Sequence, residues 1–567
     1  MNTEQSSNPT FGELFTPKIV TVMGEGYGAK ELRADFIAGL TVAIVALPLS
    51  MAIAIASGVG PERGLYTAIV GGFLVSLLGG SRFQVGGPAG AFIVLVAATV
   101  VQHGVEGMLL ATFLSGLMLL AIGYLRLGTY IKFIPYPVTV GFTAGIAVII
   151  FSSQIKDFLG LVPGVAEPGP LIEKLPVLYA ALPSFTGGAI VIGALTVAVI
   201  ALVDRYMPKV PGMLVAVLAA TFLAYVLLLN VETIGSKFGE IPRSLPIPAL
   251  PVFSLGKIVA VLPNALSFTL LGAIESLLSA VVADGMSGRR HRSNCELVAQ
   301  GYANIASSLF GGLPVTGTIA RTATNVRSGA KGPVSGMLHA LFLLTFMIVA
   351  APLASYIPLA ALAGILIFVS WNMAEKAAFG QLVRSSREDA LIVLATFLLT
   401  IFVDLATGIL VGFAIGSVVF INRMAGAISV EAASFLPAAD EADAVGKGGE
   451  QDFAKHKDIA VYKISGAFFF GAASTVSTVI ERIADQHKAF IVDISGVPFL
   501  DSSGANAIEV LARKTYKRGV MFILAGGNES VVKTLRAHGV HTPQAHFARD
   551  IVHGVEIARR HLHNPKT

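Results

Sequence analysis

Val85-Gly-Gly-Pro-Ala-Gly90 and Gly311-Gly-Leu-Pro-Val-Thr-Gly317 interrupt two apolar stretches, one in each half of the chain. Their prolines, Pro88 and Pro314, lie 226 residues apart. A second pair of marks has nearly the same offset. Ile134-Pro135 precedes Gly141 and Ile357-Pro358 precedes Gly364, each by six residues from the proline, with those prolines 223 apart. Two marks with nearly one offset indicate a duplicated unit. Short Gly/Pro-broken hydrophobic segments at matching places in two halves point to the substrate site of a membrane transporter.

Composition agrees with a membrane protein. The chain has 567 residues, of which 54% are hydrophobic and only 13% charged, and its mean hydropathy is +0.75. A soluble protein of this length is far more polar. The sequence pI of about 9.1 does not indicate nucleic acid, because the basic residues sit between apolar spans and form no single patch. One cysteine, Cys295, excludes an intramolecular disulfide and a cysteine-rich metal site. The polar, acidic start, Met1-Asn-Thr-Glu-Gln-Ser-Ser, does not read as a cleavable signal, so the first span is expected to act as the insertion signal.

Apolar spans are expected near 35–57, 64–80, 86–101, 107–125, 136–153, 185–203 and 211–230, and after a proline-rich stretch near 263–283, 295–310, 317–327, 333–351, 357–374, 389–405 and 407–422. The fold class is therefore a polytopic α-helical membrane protein with 14 spans. Seven spans per half insert the second copy upside down, a 7+7 inverted repeat. With the N-terminus inside, the inner loops collect Arg82, Arg126, Arg205, Arg289, Arg290, Arg292, Lys376, Arg384, Arg387 and Arg423 among others. The outer loops hold Arg63, Lys156, Lys174, Lys237, Arg243 and Lys257. That excess is the positive-inside pattern.

Beyond Arg423 the character changes. Residues 428–456 read as a linker rich in Ala, Glu, Asp and Gly. From 457 to 567 a small α/β domain is expected, with strands at Ile459–Ile464, Ala489–Ile494 and Met521–Ala525, and helices over Ser474–Ala484, from Ser502, and around Glu529–Ala537.

Arg321 is the sharpest candidate for chemistry. It stands in Gly317-Thr-Ile-Ala-Arg-Thr-Ala-Thr-Asn325, otherwise small and apolar. An arginine there is costly in lipid, so it is expected to face a polar cavity or a partner. A half-helix starting near Thr316–Thr318 aims free N–H groups at that cavity, and the copy around Pro88-Ala-Gly90 supplies an opposing dipole end. The competing reading is an arginine that snorkels to the surface. Glu275 interrupts Leu270-Leu-Gly-Ala-Ile-Glu-Ser-Leu-Leu-Ser279. It suits a proton carrier, with Ser276 and Ser279 lining the same cavity; the alternative is a structural ion pair with Arg321. Asp404 reads as a helix cap and His339 as a packed or hydrogen-bonded side chain. No second ligand stands at metal spacing from His339. No nucleophile–base arrangement is legible, and neither a cofactor nor a metal is expected. In Val492-Asp-Ile-Ser-Gly-Val-Pro-Phe-Leu-Asp-Ser-Ser-Gly504, the serines sit where a helix N-terminus favours added phosphate, while Asp501 or Ser502 serves equally as a plain N-cap.

Asp35-Phe-Ile-Ala-Gly-Leu-Thr-Val-Ala, Gly87-Pro-Ala-Gly, Gly272-Ala-Ile-Glu-Ser-Leu-Leu and Leu313-Pro-Val-Thr-Gly-Thr-Ile-Ala-Arg-Thr-Ala-Thr-Asn together resemble the SulP anion transporter family, the prokaryotic relatives of solute carrier family 26. Asp501-Ser-Ser-Gly resembles the sulfate transporter and anti-sigma factor antagonist (STAS) domain. The resemblance covers nearly the whole chain. It implies core and gate domains, an anion site between facing half-helices of the third and tenth spans, a cytoplasmic STAS domain and a homodimer. Carried onto this sequence, the site comprises Ala89, Gly90, Thr318, Ile319, Ala320 and Arg321. The position of Ala320 is often serine in the family. Members that carry bicarbonate with sodium lack an arginine at Arg321 and have Asp at Glu275, so this chain resembles the proton-coupled branch that moves sulfate or C4-dicarboxylates. Ser503 matches the serine phosphorylated in anti-sigma antagonists.

The expected organisation is a cytoplasmic segment over 1–33, a transporter domain over 34–427, the linker, and the STAS domain. The expected function is proton-coupled symport of a small anion by alternating access, with sulfate first and C4-dicarboxylate or bicarbonate as alternatives. A second hypothesis is an anion sensor that signals to a cytoplasmic partner through the STAS domain. The expected location is the cell inner membrane, amid lipid, with N-terminus and STAS domain cytoplasmic.

Overall fold

The computed structural model describes residues 10–131, 134–165, 171–207, 210–426, 429–432, 458–469 and 487–563. The chain divides into two compact units, Met1–Ala414 and Ile415–Thr567.

The first unit is helical. Its principal elements are α1 (Ala29–Ala56), β1 (Gly86–Gly87), α2 (Ile93–Tyr124), α3 (Tyr136–Leu159), α4 (Gly187–Tyr206), α5 (Gly212–Val226), α6 (Leu255–Ser287), α7 (Ser293–Leu309), β2 (Thr316–Gly317), α8 (Ile319–Arg327), α9 (Val334–Ala354), α10 (Leu359–Met373), α11 (Lys376–Ser385) and α12 (Arg387–Phe402). Helix α13 (Leu405–Gly426) begins in this unit and ends in the next. Among the described residues, eight helical stretches are long and apolar enough to cross a membrane. The other expected spans are shorter or interrupted. Pro61–Tyr66 and Gly72–Leu78 are joined through a π-helical turn, α8 has nine residues, and α7 carries buried Glu296, Gln300 and Asn304. Gly104, at φ 68°, breaks α2 near its middle.

Both copies use one packing device. Pro135 precedes α3 and Pro358 precedes α10, each fixing an extended residue before the helix starts. Six residues past those prolines a glycine meets a partner helix. A Cβ on Gly141 would lie 2.5 Å from the Val393 carbonyl oxygen and 3.1 Å from Thr396 Cβ on α12. A Cβ on Gly364 would lie 2.9 Å from the Gly193 carbonyl oxygen and 3.1 Å from Thr196 Cβ on α4. Without a hydrophobic drive between helices in lipid, such close backbone approach is what holds them together. Thr196 and Thr396 each return their hydroxyl to the carbonyl four residues back, at 2.8 Å, so neither presents an unmet donor to the contact.

The N-terminal residues staple one end of the bundle. Lys18 N–H donates to the Gly79 carbonyl (2.9 Å). Arg82 grips both carboxylate oxygens of Glu25, and Arg292 donates to the Thr16 carbonyl (2.8 Å). Tyr27 donates to Asp35 (2.8 Å), which also accepts from the Gly332 N–H (3.2 Å). That hydrogen bond and burial push the Tyr27 hydroxyl above its usual pKa range.

The second unit holds a five-stranded sheet: β3 (Ser429–Ala432), β4 (Ile459–Ser465), β5 (Ala489–Gly496), β6 (Met521–Ala525) and β7 (His546–Ala548), in that order. Only β3 runs antiparallel. Among the described residues, helices α14 (Ser502–Lys517), α15 (Glu529–Ala537) and α16 (Ile551–His563) accompany it. The six buried residues Ala489–Ile494 mark β5 as covered on both faces. The three expected strands and the helices at Ser502 and Glu529 are present. The helix expected over Ser474–Ala484 lies outside the described residues. One expectation needs correction: Ser429–Ala432, read as linker, is an edge strand whose four residues are too short to show alternation.

Candidate functional site

The two broken segments meet. Gly86 pairs with Gly317 and Gly87 with Thr316 in an antiparallel ladder. Their glycines permit the approach. A Cβ on Gly86 would lie 2.7 Å from Val75 Cγ2, and one on Gly72 would lie 2.8 Å from the Gly86 carbonyl oxygen. An antiparallel pair has a local two-fold axis between its strands. The axis through each pair exchanges Gly86 with Gly317 or Gly87 with Thr316, offsets of 231 and 229 residues. The prolines, at 226, are therefore not equivalent in space: Pro88 follows its strand and Pro314 precedes its own.

Side chains satisfy the backbone around the crossing, as buried polar groups require. Thr67 Oγ1 accepts from Leu313 N–H (2.6 Å). Asn304 accepts from Val315 N–H (2.9 Å) and donates to the Val315 carbonyl (2.8 Å). Thr322 Oγ1 accepts from Val85 N–H (3.2 Å), and Thr318 N–H donates to the Val85 carbonyl (3.1 Å). Asn325 donates to the Phe83 carbonyl (2.9 Å).

A helix starts just past each strand. Ala89 precedes a 3₁₀ turn, Gly90–Phe92, that leads into α2, and Thr318 precedes α8. The first bonds back are Phe92 N–H to the Ala89 carbonyl (3.1 Å) and Thr322 N–H to the Thr318 carbonyl (3.0 Å). The amides of Gly90 and Ala91, and of Ile319, Ala320 and Arg321, come before those bonds and carry the positive ends of the two helices. Ala320 is exposed, Gly90 and Ile319 are half-buried, and Ala89 and Thr318 are buried.

Arg321 is 1% exposed. Its guanidinium crosses to the other copy, donating to Ser50 Oγ (3.0 Å) and to the carbonyls of Pro88 (3.3 Å) and Gly86 (3.5 Å). A Cβ on Gly87 would lie 1.8 Å from Arg321 Nη1. The arginine thus does not snorkel, and it does not reach open space either. Its charge sits behind the two helix starts.

Glu275 lies on α6, which packs against β2 and α8. It is half-buried, and its Oε2 is buried without a hydrogen-bond partner. It forms no ion pair with Arg321, whose Nη1 and Nη2 go to Ser50 and the first copy's carbonyls and whose Nε has no partner, so the alternative of a structural pair is not what this structure holds. Ser276 and Ser279 are fully buried. Ser276 accepts from Gln84 Nε2 (2.8 Å) and Ser279 donates to Thr322 Oγ1 (3.1 Å), so both brace the crossing and neither lines a cavity. His339 is fully buried with both ring nitrogens unpartnered. Asp404 caps α13 through Thr407 N–H (2.8 Å). Asp501 caps α14 through Gly504 N–H (2.7 Å), and Ser503 is exposed in its first turn. Among the described residues no group of three or more His, Cys, Asp or Glu could hold a metal.

Sequence reasoning missed Ser50, Thr67, Gln84 and Asn304. Each is a polar residue in or beside an apolar run, and that cost in lipid was the available signal.

A crossed pair of helix starts backed by a buried guanidinium is an arrangement for a small anion. The sulfate permease family model matches residues 32–396, and the STAS domain model matches 450–549. The chain belongs to the sulfate permease family. It is 40% identical to the putative sulfate transporter YvdB of Bacillus subtilis over 88% of this chain and 93% of that one. It is 31% identical to the bicarbonate transporter BicA of Picosynechococcus over 85% and 86% of the two chains. The solved transmembrane domain of a cyanobacterial BicA is 34% identical, covers 67% of this chain and 98% of its own, and superposes with a TM-score of 0.61. Murine solute carrier 26 family member A9 gives 0.84 at 19% identity over 99% and 96%, a likeness of fold. The chain is a multi-pass membrane transporter with a STAS domain, and it is not an enzyme.

Proposed function

We propose that residues 34–427 carry a small anion, sulfate first, by proton-coupled symport and alternating access. The supporting observation is the ladder between Gly86–Gly87 and Thr316–Gly317, which brings two helix starts to one place with Arg321 behind them. The anion rests on the amides around Gly90 and Ile319–Ala320, flanked by Ala89 and Thr318. Arg321 contributes its field and holds the crossing rigid. The repeated Gly–Thr contacts of α3 with α12 and of α10 with α4 support a 7+7 inverted repeat of 14 spans, in which one bundle rocks against the other.

Glu275 takes the coupling proton. An unpartnered carboxylate at membrane depth is costly, and a bound proton removes that cost. The protein works as a homodimer in the cell inner membrane, with N-terminus and STAS domain on the cytoplasmic side. The test is uptake of labelled sulfate into proteoliposomes with and without an inward proton gradient. The gradient should drive accumulation in the wild type, and Glu275→Gln should remove the pH dependence while leaving sulfate exchange. Gradient-driven accumulation that persists in Glu275→Gln sinks the coupling role. A second reading, bicarbonate as substrate, draws on the identity to BicA; bicarbonate competing with labelled sulfate more strongly than sulfate itself would select it.

A further inference from the structure

Helix α11 lies in the chain between two apolar helices, α10 and α12, and follows directly on the first. Phe379 holds it against Phe397 of α12, ring to ring at 5.1 Å. Its other side is a shallow, open groove of about 680 Å³ lined by α11's own Lys376, Ala377, Gly380, Gln381, Arg384 and Ser385. The floor is made of small residues, and a Cβ on Gly380 would meet nothing within 4 Å. Two cations flank it about 12 Å apart, eight residues at 1.5 Å each. Arg384 is exposed and makes no hydrogen bond or ion pair among the described residues. Nearby acids do not line the groove: Asp389 accepts from Ser385 (3.2 Å) at the first turn of α12, and Glu375 and Glu388 stand outside it.

Trp371 adds an independent observation. It is 62% exposed, and Lys376 Nζ lies 4.2 Å from its ring centroid. Exposed tryptophans beside basic residues mark the headgroup level of a bilayer. A groove with two cations, an amide and an adjacent indole complements a phosphodiester whose tails continue into lipid.

We propose that the α11 groove binds the headgroup of an anionic phospholipid, with Lys376 and Arg384 on the phosphate oxygens and Trp371 against the glycerol and upper tails. This assignment stands independently of the anion carried. Trp371 is the only tryptophan in the chain, so its fluorescence reads this position alone. The full-length protein is titrated in mixed micelles with phosphatidylglycerol or phosphatidylcholine brominated high on the acyl chain. In the wild type, half-maximal quenching is expected at an about tenfold lower mole fraction of phosphatidylglycerol than of phosphatidylcholine. The ratio should fall to near one in Lys376→Gln/Arg384→Gln. It should also fall in Gly380→Leu, which keeps both charges and starts its bulk from a Cβ in open space. Equal quenching by the two lipids in the wild type overturns the proposal, as does a preference that survives both variants. Inorganic phosphate at millimolar concentration abolishing the preference makes the groove a free-anion site and overturns the lipid assignment. A preference insensitive to phosphate supports it.

Discussion

The two copies are alike where helices pack and unlike where they cross. Gly141 of α3 against α12 and Gly364 of α10 against α4 make nearly the same contact, down to a threonine whose hydroxyl is satisfied within its own helix. At the crossing, the third residue past the helix cap is Arg321 after Thr318 but Phe92 after Ala89. Packing contacts can be duplicated freely, because each is satisfied by its own neighbours. A buried charge cannot. One guanidinium can be neutralised by the other copy's carbonyls and Ser50, and a second in the same volume would face the first without counter-charge.

Removing Arg321 is therefore expected to have the largest effect. Arg321→Ala removes a donor from the Gly86 and Pro88 carbonyls and from Ser50, and with it the cation placed behind the helix starts. Each lost partner of a buried polar group costs about 1–3 kcal/mol. Sulfate uptake into proteoliposomes should fall about 100-fold or more, since each 1.36 kcal/mol is roughly tenfold in rate. Gly87→Ala should produce a smaller version of the same defect, because its Cβ displaces Nη1 from the crossing. The two substitutions act on one contact, so the double variant should match Arg321→Ala alone. Additive losses in that cycle would show that Gly87 matters for some other reason.

The packing contacts should behave in the opposite way. Gly141→Ala and Gly364→Ala each force a methyl group against a carbonyl oxygen of the partner helix, at a cost of about 1–3 kcal/mol apiece. Thermal unfolding of the purified protein should shift by similar amounts in the two variants, with Gly141→Ala slightly worse because its contact is closer. The sites contact different helix pairs, so their effects should add. A loss confined to one of them would break the likeness between the copies.

How much of this the sequence displayed follows from what each feature depends on. Gly141 and Gly364 were legible because each lies six residues past a proline, and a local spacing survives duplication. The ladder was legible as a pair of breaks. Its register was not, because Pro88 and Pro314 fall on opposite sides of their strands, and pairing is set by distant neighbours such as Asn304 and Thr67. Arg321 stood out as a charge in an apolar run, yet nothing local distinguishes an arginine facing a cavity from one facing carbonyls 233 residues earlier. The serines near Glu275 misled for a related reason. Helical spacing places Ser279 one turn from Glu275, but Gln84 and Thr322, from other segments, decide what Ser276 and Ser279 bond. In the α/β unit the buried strands were plain from composition, whereas β3 has only four residues and no pattern of its own.

The smallest expected effect tests whether the staple is separable from the crossing. Arg82 beside Glu25 holds that carboxyl below the usual carboxylate range. A carboxyl depressed in the folded state contributes stability above its unfolded pKa of about 4.3, and that contribution is lost as pH falls through the lower folded value. The pair is exposed on the Glu25 side, so its worth is small. Cys295, the only cysteine, is 2% exposed and donates to the Phe15 carbonyl at 3.5 Å, beneath the same N-terminal segment. Its reaction with dithiodipyridine, which proceeds in mild acid, reports release of that segment. Wild-type protection should stay level from pH 7 to 5 and weaken below about pH 4. Glu25→Gln should react faster at pH 7, by less than about fivefold, without that acid step and with sulfate uptake intact. If Glu25→Gln instead lowers uptake as Arg321→Ala does, the staple and the crossing are one device.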